Sequence, residues 1–274
     1  MSVDLIALDA ARKRFWSAIW EMTVEDAAVE YRMDKVKFGP LLALLVATEL
    51  DDPAVNFVLG AEMPGALEGG HLKDAVAWLE SHQVELRVPV LSGSREAVAA
   101  EARLDALGQI PAEGPALLVR NVSPLRFFVP PKINVHEHVL AWEAEGLGDP
   151  LAYSLGLPGW MSTTFMSLCE ANGWHCYSAA TSDEILAYAA VSVESEVAML
   201  VLASLSPDVD GRAAVLGPCI AKAAKAGCRF LAVADAGNDP EGSDWDGLVE
   251  ADFDSVGTYT TWRSPVSARA SDGF

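Results

Sequence analysis

The sequence predicts an α/β or α+β protein of two lobes, residues 1–123 and 124–274, each a mixed sheet flanked by helices. Three observations predict it. Apolar strand-like runs alternate with amphipathic helix-like runs throughout the 274 residues. The two halves repeat a related order of elements. A Pro-bounded aromatic stretch, "PLRFFVPP" from Pro124 to Pro131, marks the crossing between them.

The elements follow in order. Leu5, Leu8, Phe15, Ile19 and Met22 recur at helical spacing and predict a helix from about Leu5 to Tyr31. "GGHLKDAVAWLESHQ" reads as a helix, "VELRVPV" as a strand, "SREAVAAEARLDALG" as a helix and "PALLVRNV" (115–122) as a closing strand. The second half predicts helices near 137–145 and 160–172, and strands at 174–180, 185–193 and 196–205. A helix follows the turn "SPDVDGRAAV" (206–215), and its Pro218 places the helix start near Gly217. "CRFLAVAD" (228–235) and "VGTYTTWR" (256–263) are the last strands, with an acidic loop between them.

Composition narrows the function classes. Acidic residues outnumber basic ones 39 to 19, for a net charge of −20, which disfavours nucleic acid and acidic membrane surfaces as partners. Hydrophobic content of 51% and a mean hydropathy of +0.21 predict a packed globule. No apolar run is long enough to span a bilayer, and "MSVDLIALDAARKRFW" lacks signal-peptide order, so a cytoplasmic location is expected. Cys169, Cys176, Cys219 and Cys228 show no CxxC spacing, and Cys176 and Cys228 read as small buried apolar residues. "HEH" (136–138) reads as exposed loop histidines, because a metal site needs three or more convergent ligands; no metal is expected. Trp174 and Tyr177 read as core or rim aromatics.

The turn 206–215 carries the chemistry. Strand, short Gly-containing turn and helix is the geometry of an anion cradle, because free N–H groups at a helix start attract phosphate. "GLPGW", then "GWHCYSAATSDEILAYAAVSVESEVAMLVLASLSPDVDGRAA" and "AAKAGCRFLAVADA", resemble the C-terminal half of a GCN5-related N-acetyltransferase. The first half, through "DPAVNFVLGAEMPGALEGGHLKDAVAWLESHQVELRVPVL" and "LLVRNV", resembles the degenerate first copy found in tandem members.

The resemblance implies a splayed sheet in each lobe and acetyl-CoA or another acyl-CoA as co-substrate. It also implies a small-molecule amine as acceptor, and a monomer or homodimer. The thioester carbonyl would be polarised by main-chain N–H groups around Leu202, Ala203 and Ser204. The pyrophosphate would lie on Gly211, Arg212, Ala213, Ala214 and Val215. Asp210, Ala213 and Val215 depart from the family's Arg/Gln-x-x-Gly-x-Gly/Ala turn, and Asp210 sets a carboxylate beside the diphosphate. In "SDWDGL", Trp245 stands where the family has its general-acid Tyr; Asp244, Asp246 or Tyr259 are the substitutes. Glu194 and Glu196 read first as a solvated hairpin turn and second as acceptors of the amine proton. Two functions follow: an N-acyltransferase, or a relative that kept the scaffold for binding alone.

Overall fold

The computed structural model describes residues 4–49, 55–84, 86–123, 132–193, 196–206, 209–234, 248 and 251–264. The chain forms two compact units that interleave in sequence. One is Met1–Val24 with Pro115–Val256; the other is Glu25–Gly114 with Gly257–Phe274.

The first unit opens with α1 (Leu5–Met22). Asp4 caps it by accepting from the Ile6 N–H at 2.9 Å. Leu8, Ala11, Phe15, Trp16, Ile19 and Trp20 form its buried stripe. The helix stops at Thr23, whose extended backbone breaks the ladder while its hydroxyl donates to the Ile19 carbonyl. The single helix expected over 5–31 is therefore two, the second being α2 (Glu25–Glu30).

The strands of the first unit are β5 (Ile110–Asn121), β6 (Asn134–His138), β7 (Trp174–Ala180), β8 (Ile185–Ser192), β9 (Val197–Ser204) and β10 (Phe230–Val233). They lie in the order β5-β10-β9-β8-β7-β6. β9 and β10 are parallel; β5–β10, β8–β9, β7–β8 and β6–β7 are antiparallel. The helix expected at 137–145 is instead β6 followed by a 3-10 turn at Ala141–Ala144. α5 (Gly148–Ser154) and α6 (Ser162–Ser167) follow, α6 being shorter than the helix expected over 160–172.

α7 (Val209–Lys225) packs on one sheet face, burying Ala214, Val215, Cys219, Ile220 and Ala223 against Tyr177, Ala189, Leu200 and Leu202. It ends at Gly227, whose φ of +85° suits only glycine, with Cys228 N–H reaching back to Ala223. Pro218 is interior to α7, so the helix starts at Val209, eight residues before the Gly217 that the proline suggested.

The second unit has β1 (Met33–Phe38), β2 (Leu41–Val46), β3 (Phe57–Leu59), α3 (His71–Ser81), β4 (Arg87–Leu91), α4 (Arg95–Ala106) and β11 (Asp254–Arg263). The strand order is β1-β2-β3-β4-β11. Asn56, fully buried, accepts from Val46 N–H and donates to the Glu49 carbonyl, fixing the approach to β3. Leu72, Ala75, Val76 and Leu79 of α3 and Ala97, Ala100 and Leu104 of α4 bury the sheet.

Each half of the chain thus gives its last strand to the other half's unit. β5 pairs with β10, and β11 pairs with β4. The expected division at 123 differs from these units at both ends for that reason, and because α1 joins the first unit.

Candidate functional site

The alternation of main-chain groups along β9 defines an edge. Leu205 N–H donates to Leu186 on the β8 side, and Leu200 C=O accepts from Ala234 on the β10 side. Even-numbered residues of β9 therefore face β10. The register with β10 ends at Leu200↔Val233. Leu202 and Ser204 continue past it with N–H and C=O aimed to the same side, and β8 alone pairs with this stretch among the described residues. The described ladder between β9 and β10 thus ends before Leu202 and Ser204, and a strand edge of this kind suits an extended ligand carrying amides. The Leu202 and Ala203 side chains are buried, and the Ser204 hydroxyl donates to the Ser206 carbonyl at 2.7 Å.

The corresponding opening in the other unit is filled from within. β3 meets β4 at one register pair, Phe57↔Arg87. On β4 the N–H groups facing β3 belong to residues 87, 89 and 91, since Ser92 N–H donates the other way, to Thr258. Arg87 N–H is taken by the Asn56 carbonyl, position 89 is a proline, and Leu91 N–H is taken by the Glu62 carboxylate. Glu62 is buried there. Sequence reading did not single out Glu62.

The helix α7 places the expected pyrophosphate residues differently from a loop. The N–H groups of Val209, Asp210 and Gly211 lie in its first turn, while those of Ala213, Ala214 and Val215 fall within the helical ladder. Gly211 has a packing role: a Cβ there would lie 2.5 Å from Leu186 Cβ. Arg212 is buried, with 3% of its surface exposed.

Of the expected catalytic residues, Glu196 and Tyr259 are among the described residues. Glu196 precedes β9, about 20 Å along the strand from Leu202–Ser204. It is ion-paired with Arg229 at 2.6 Å. Tyr259 is buried on β11 in the other unit, opposite Leu91. Glu194, Asp244, Asp246 and Trp245 lie outside the described residues.

Two polar clusters that sequence spacing did not reveal flank the sheet of the first unit. On the α7 face, Lys222 Nζ donates to Glu137 Oε1 at 2.8 Å, and His175 Nδ1 lies 3.1 Å from the same oxygen. Burial, then the charges of Lys222 and Lys225, push His175 below its ordinary value. Burial lifts Glu137, but its bonds to Lys222 and His175 outweigh that and leave it lowered. On the opposite face, His138 is buried and its Nε2 lies 2.9 Å from Ser178 Oγ. The expected exposed loop histidines are thus strand residues, His136 exposed and His138 inside. The four cysteines are all buried, as expected for Cys176 and Cys228, and so are Trp174 and Tyr177.

No protein-family model and no curated protein matches this sequence. Solved structures do. A GCN5-related N-acetyltransferase from Kribbella flavida superposes with a TM-score of 0.57 at 12% identity, over 90% of this chain and 95% of that one. One from Sphaerobacter thermophilus gives 0.54 at 12%, over 88% and 84%. A tandem protein of the same kind, from the clavulanic acid biosynthesis pathway, gives 0.52 at 15%, over 82% and 78%. The likeness is one of fold: this chain has the GCN5-related N-acetyltransferase fold, a mixed sheet flanked by helices.

Proposed function

We propose that this protein transfers an acyl group from an acyl-CoA to an amine of a small molecule, with the thioester arm lying along β9. The observation that carries this reading is the Leu202 and Ser204 main-chain edge beyond the last pair with β10. Amides of a pantetheine arm would complete that ladder as a strand does. N–H groups fixed in the sheet would also polarise the thioester carbonyl without reorganisation. The first turn of α7 offers N–H groups to the pyrophosphate from Val209, Asp210 and Gly211 rather than from Ala213 to Val215. In the other unit the matching edge is taken by Asn56, Pro89 and Glu62, which supports a first copy without an acyl-CoA site and a stoichiometry of one.

A second reading, a binding module on the same scaffold, is favoured by the buried Arg212 and by Asp210 in the first turn of α7. Calorimetry with acetyl-CoA, free CoA and longer acyl-CoAs separates the two. The acyltransferase reading expects one saturable site per chain, weakened by Leu202→Pro, which removes an edge N–H. Absence of binding to any of these compounds leaves the binding module in its place.

A further inference from the structure

We propose that Cys169 and Cys176 form a redox pair that closes into a disulfide when the protein meets a peroxide. The proposal is independent of the acyl-CoA reading.

The turn that leads into β7 builds the pair. Cys169 sits in the 3-10 turn Leu168–Glu170, which follows α6 directly and packs on β7. Ala171 N–H donates to the Leu168 carbonyl at 3.0 Å, and Trp174 N–H to the Ala171 carbonyl at 3.2 Å. Those two bonds fold the chain back onto the start of β7. Along β7, Tyr177 and Ala179 belong to the core under α7, which turns Cys176 to the opposite face. There its thiol meets that of Cys169, the two acting as hydrogen-bond partners. Closing the bond draws two neighbouring sulfurs together, so the product takes no more room than the reactants.

The two thiols are not equivalent. Cys169 keeps 8% of its surface open and Cys176 none, so a reagent as small as peroxide reaches Cys169 first. The bond from Cys176 lowers the Cys169 pKa, against burial and the charges of Glu170 and Glu143. The same bond, with burial, raises Cys176 and keeps it a thiol. Cys169 is therefore the attacking sulfur and Cys176 the one that resolves it. Cys219 and Cys228 lie in the core under α7, on the other face of the sheet.

The step balances with hydrogen peroxide as the oxidant. The Cys169 thiolate attacks one peroxide oxygen; an S–O bond forms, the O–O bond breaks, and hydroxide leaves to become water. The Cys176 sulfur then attacks the sulfenic sulfur of Cys169; the S–S bond forms, the S–O bond breaks, and the departing hydroxide takes the Cys176 proton. Two thiols and one peroxide give one disulfide and two waters. The new bond fastens the turn to β7. Glu170 of that turn already accepts from Ala141 N–H at 2.9 Å, so the 3-10 turn after β6 is held as well.

The test treats the reduced whole chain with hydrogen peroxide, alkylates the remaining thiols in urea, and cleaves after glutamate. Cuts after Glu145, Glu170 and Glu184 put Cys169 in peptide 146–170 and Cys176 in peptide 171–184. The expected result is those two peptides linked, two hydrogens lighter than their sum, in a chain that stays single on a non-reducing gel. Dithiothreitol should reverse it, and the oxidised chain should melt higher than the reduced one. Cys176→Ser should abolish the link and leave a sulfenic acid on Cys169 that dimedone traps. Cys169→Ser should slow oxidation of Cys176 by about ten-fold or more. Wild-type mapping needs no variant, so misfolding of either one leaves the test intact. No linked pair in the wild type, or links only between chains, overturns the proposal and leaves both thiols as packing groups. A folded Cys176→Ser chain that gives no dimedone adduct overturns the assignment of Cys169 as the attacking sulfur.

Discussion

Asp9 shows what a single residue contributes against its own burial. It lies on the buried stripe of α1 with Arg12 one turn on. Burial lifts its pKa from 3.8 to about 6, with the charges of Arg12 and Lys13 pulling the other way. The folded state therefore holds the proton more tightly than the unfolded chain. The stabilisation is full below 3.8 and is lost as pH rises through about 6. The expected outcome is that the wild type loses up to about 3 kcal/mol between pH 4 and pH 7 from this group, at 1.36 kcal/mol per unit. Asp9→Asn should lack that segment of the curve and be the more stable protein at pH 7. Urea melts at pH 4, 5, 6 and 7 measure it. Gly211 is the converse case, a residue defined by the space it leaves. Gly211→Ala pushes a methyl into Leu186 and should cost about 1–3 kcal/mol, read as a lower thermal midpoint.

At the scale of elements, the two parallel strand pairs differ in what fills their openings. β9 runs on past its last pair with β10, and among the described residues β8 alone pairs with that stretch, whereas β4 offers no open N–H between Arg87 and Leu91. Glu62→Ala should free the Leu91 amide, which then exchanges at least about ten-fold faster, while Ser92, bonded to Thr258, keeps its protection. Glu62→Gln retains an acceptor and should stay close to the wild type. Site-resolved hydrogen exchange reads both. This asymmetry was only half legible in the sequence. Pro89 announces a missing donor to anyone who places it on a strand. The Glu62 contact joins positions 29 residues apart and has no local signature. The hairpin β1–β2 escaped for a related reason. β2 is "LLALLV", buried throughout, and a run without alternation carries no strand period.

For the whole molecule, the exchange of β5 and β11 makes the halves mutually dependent. Residues 1–123 alone lack β11, the strand that pairs with β4. Residues 124–274 alone lack α1 and β5. Arg120 ties β5 further, donating to the Ala251 carbonyl at 2.6 Å and lying over the Phe253 ring. Expressed separately, the two pieces should be poorly folded by circular dichroism and amide NMR, and mixing them should restore the native spectrum. Two independently folded pieces would contradict the exchange.

The sequence by itself determined the class, the order of most elements and the location of the strand–turn–helix around residue 210, because periodicity and punctuation are local properties. It also determined the burial of Cys176 and Cys228, since each sits in a run read as a strand. Only the tertiary structure decided which strand joins which unit, because strand pairing is a long-range choice with no local mark. It likewise decided that α7 begins at Val209 despite Pro218, as packing on the sheet outweighs one missing hydrogen bond. And it decided that Glu196 is held by Arg229 while His138 meets Ser178, for partners across a sheet are set by register and not by spacing in the chain.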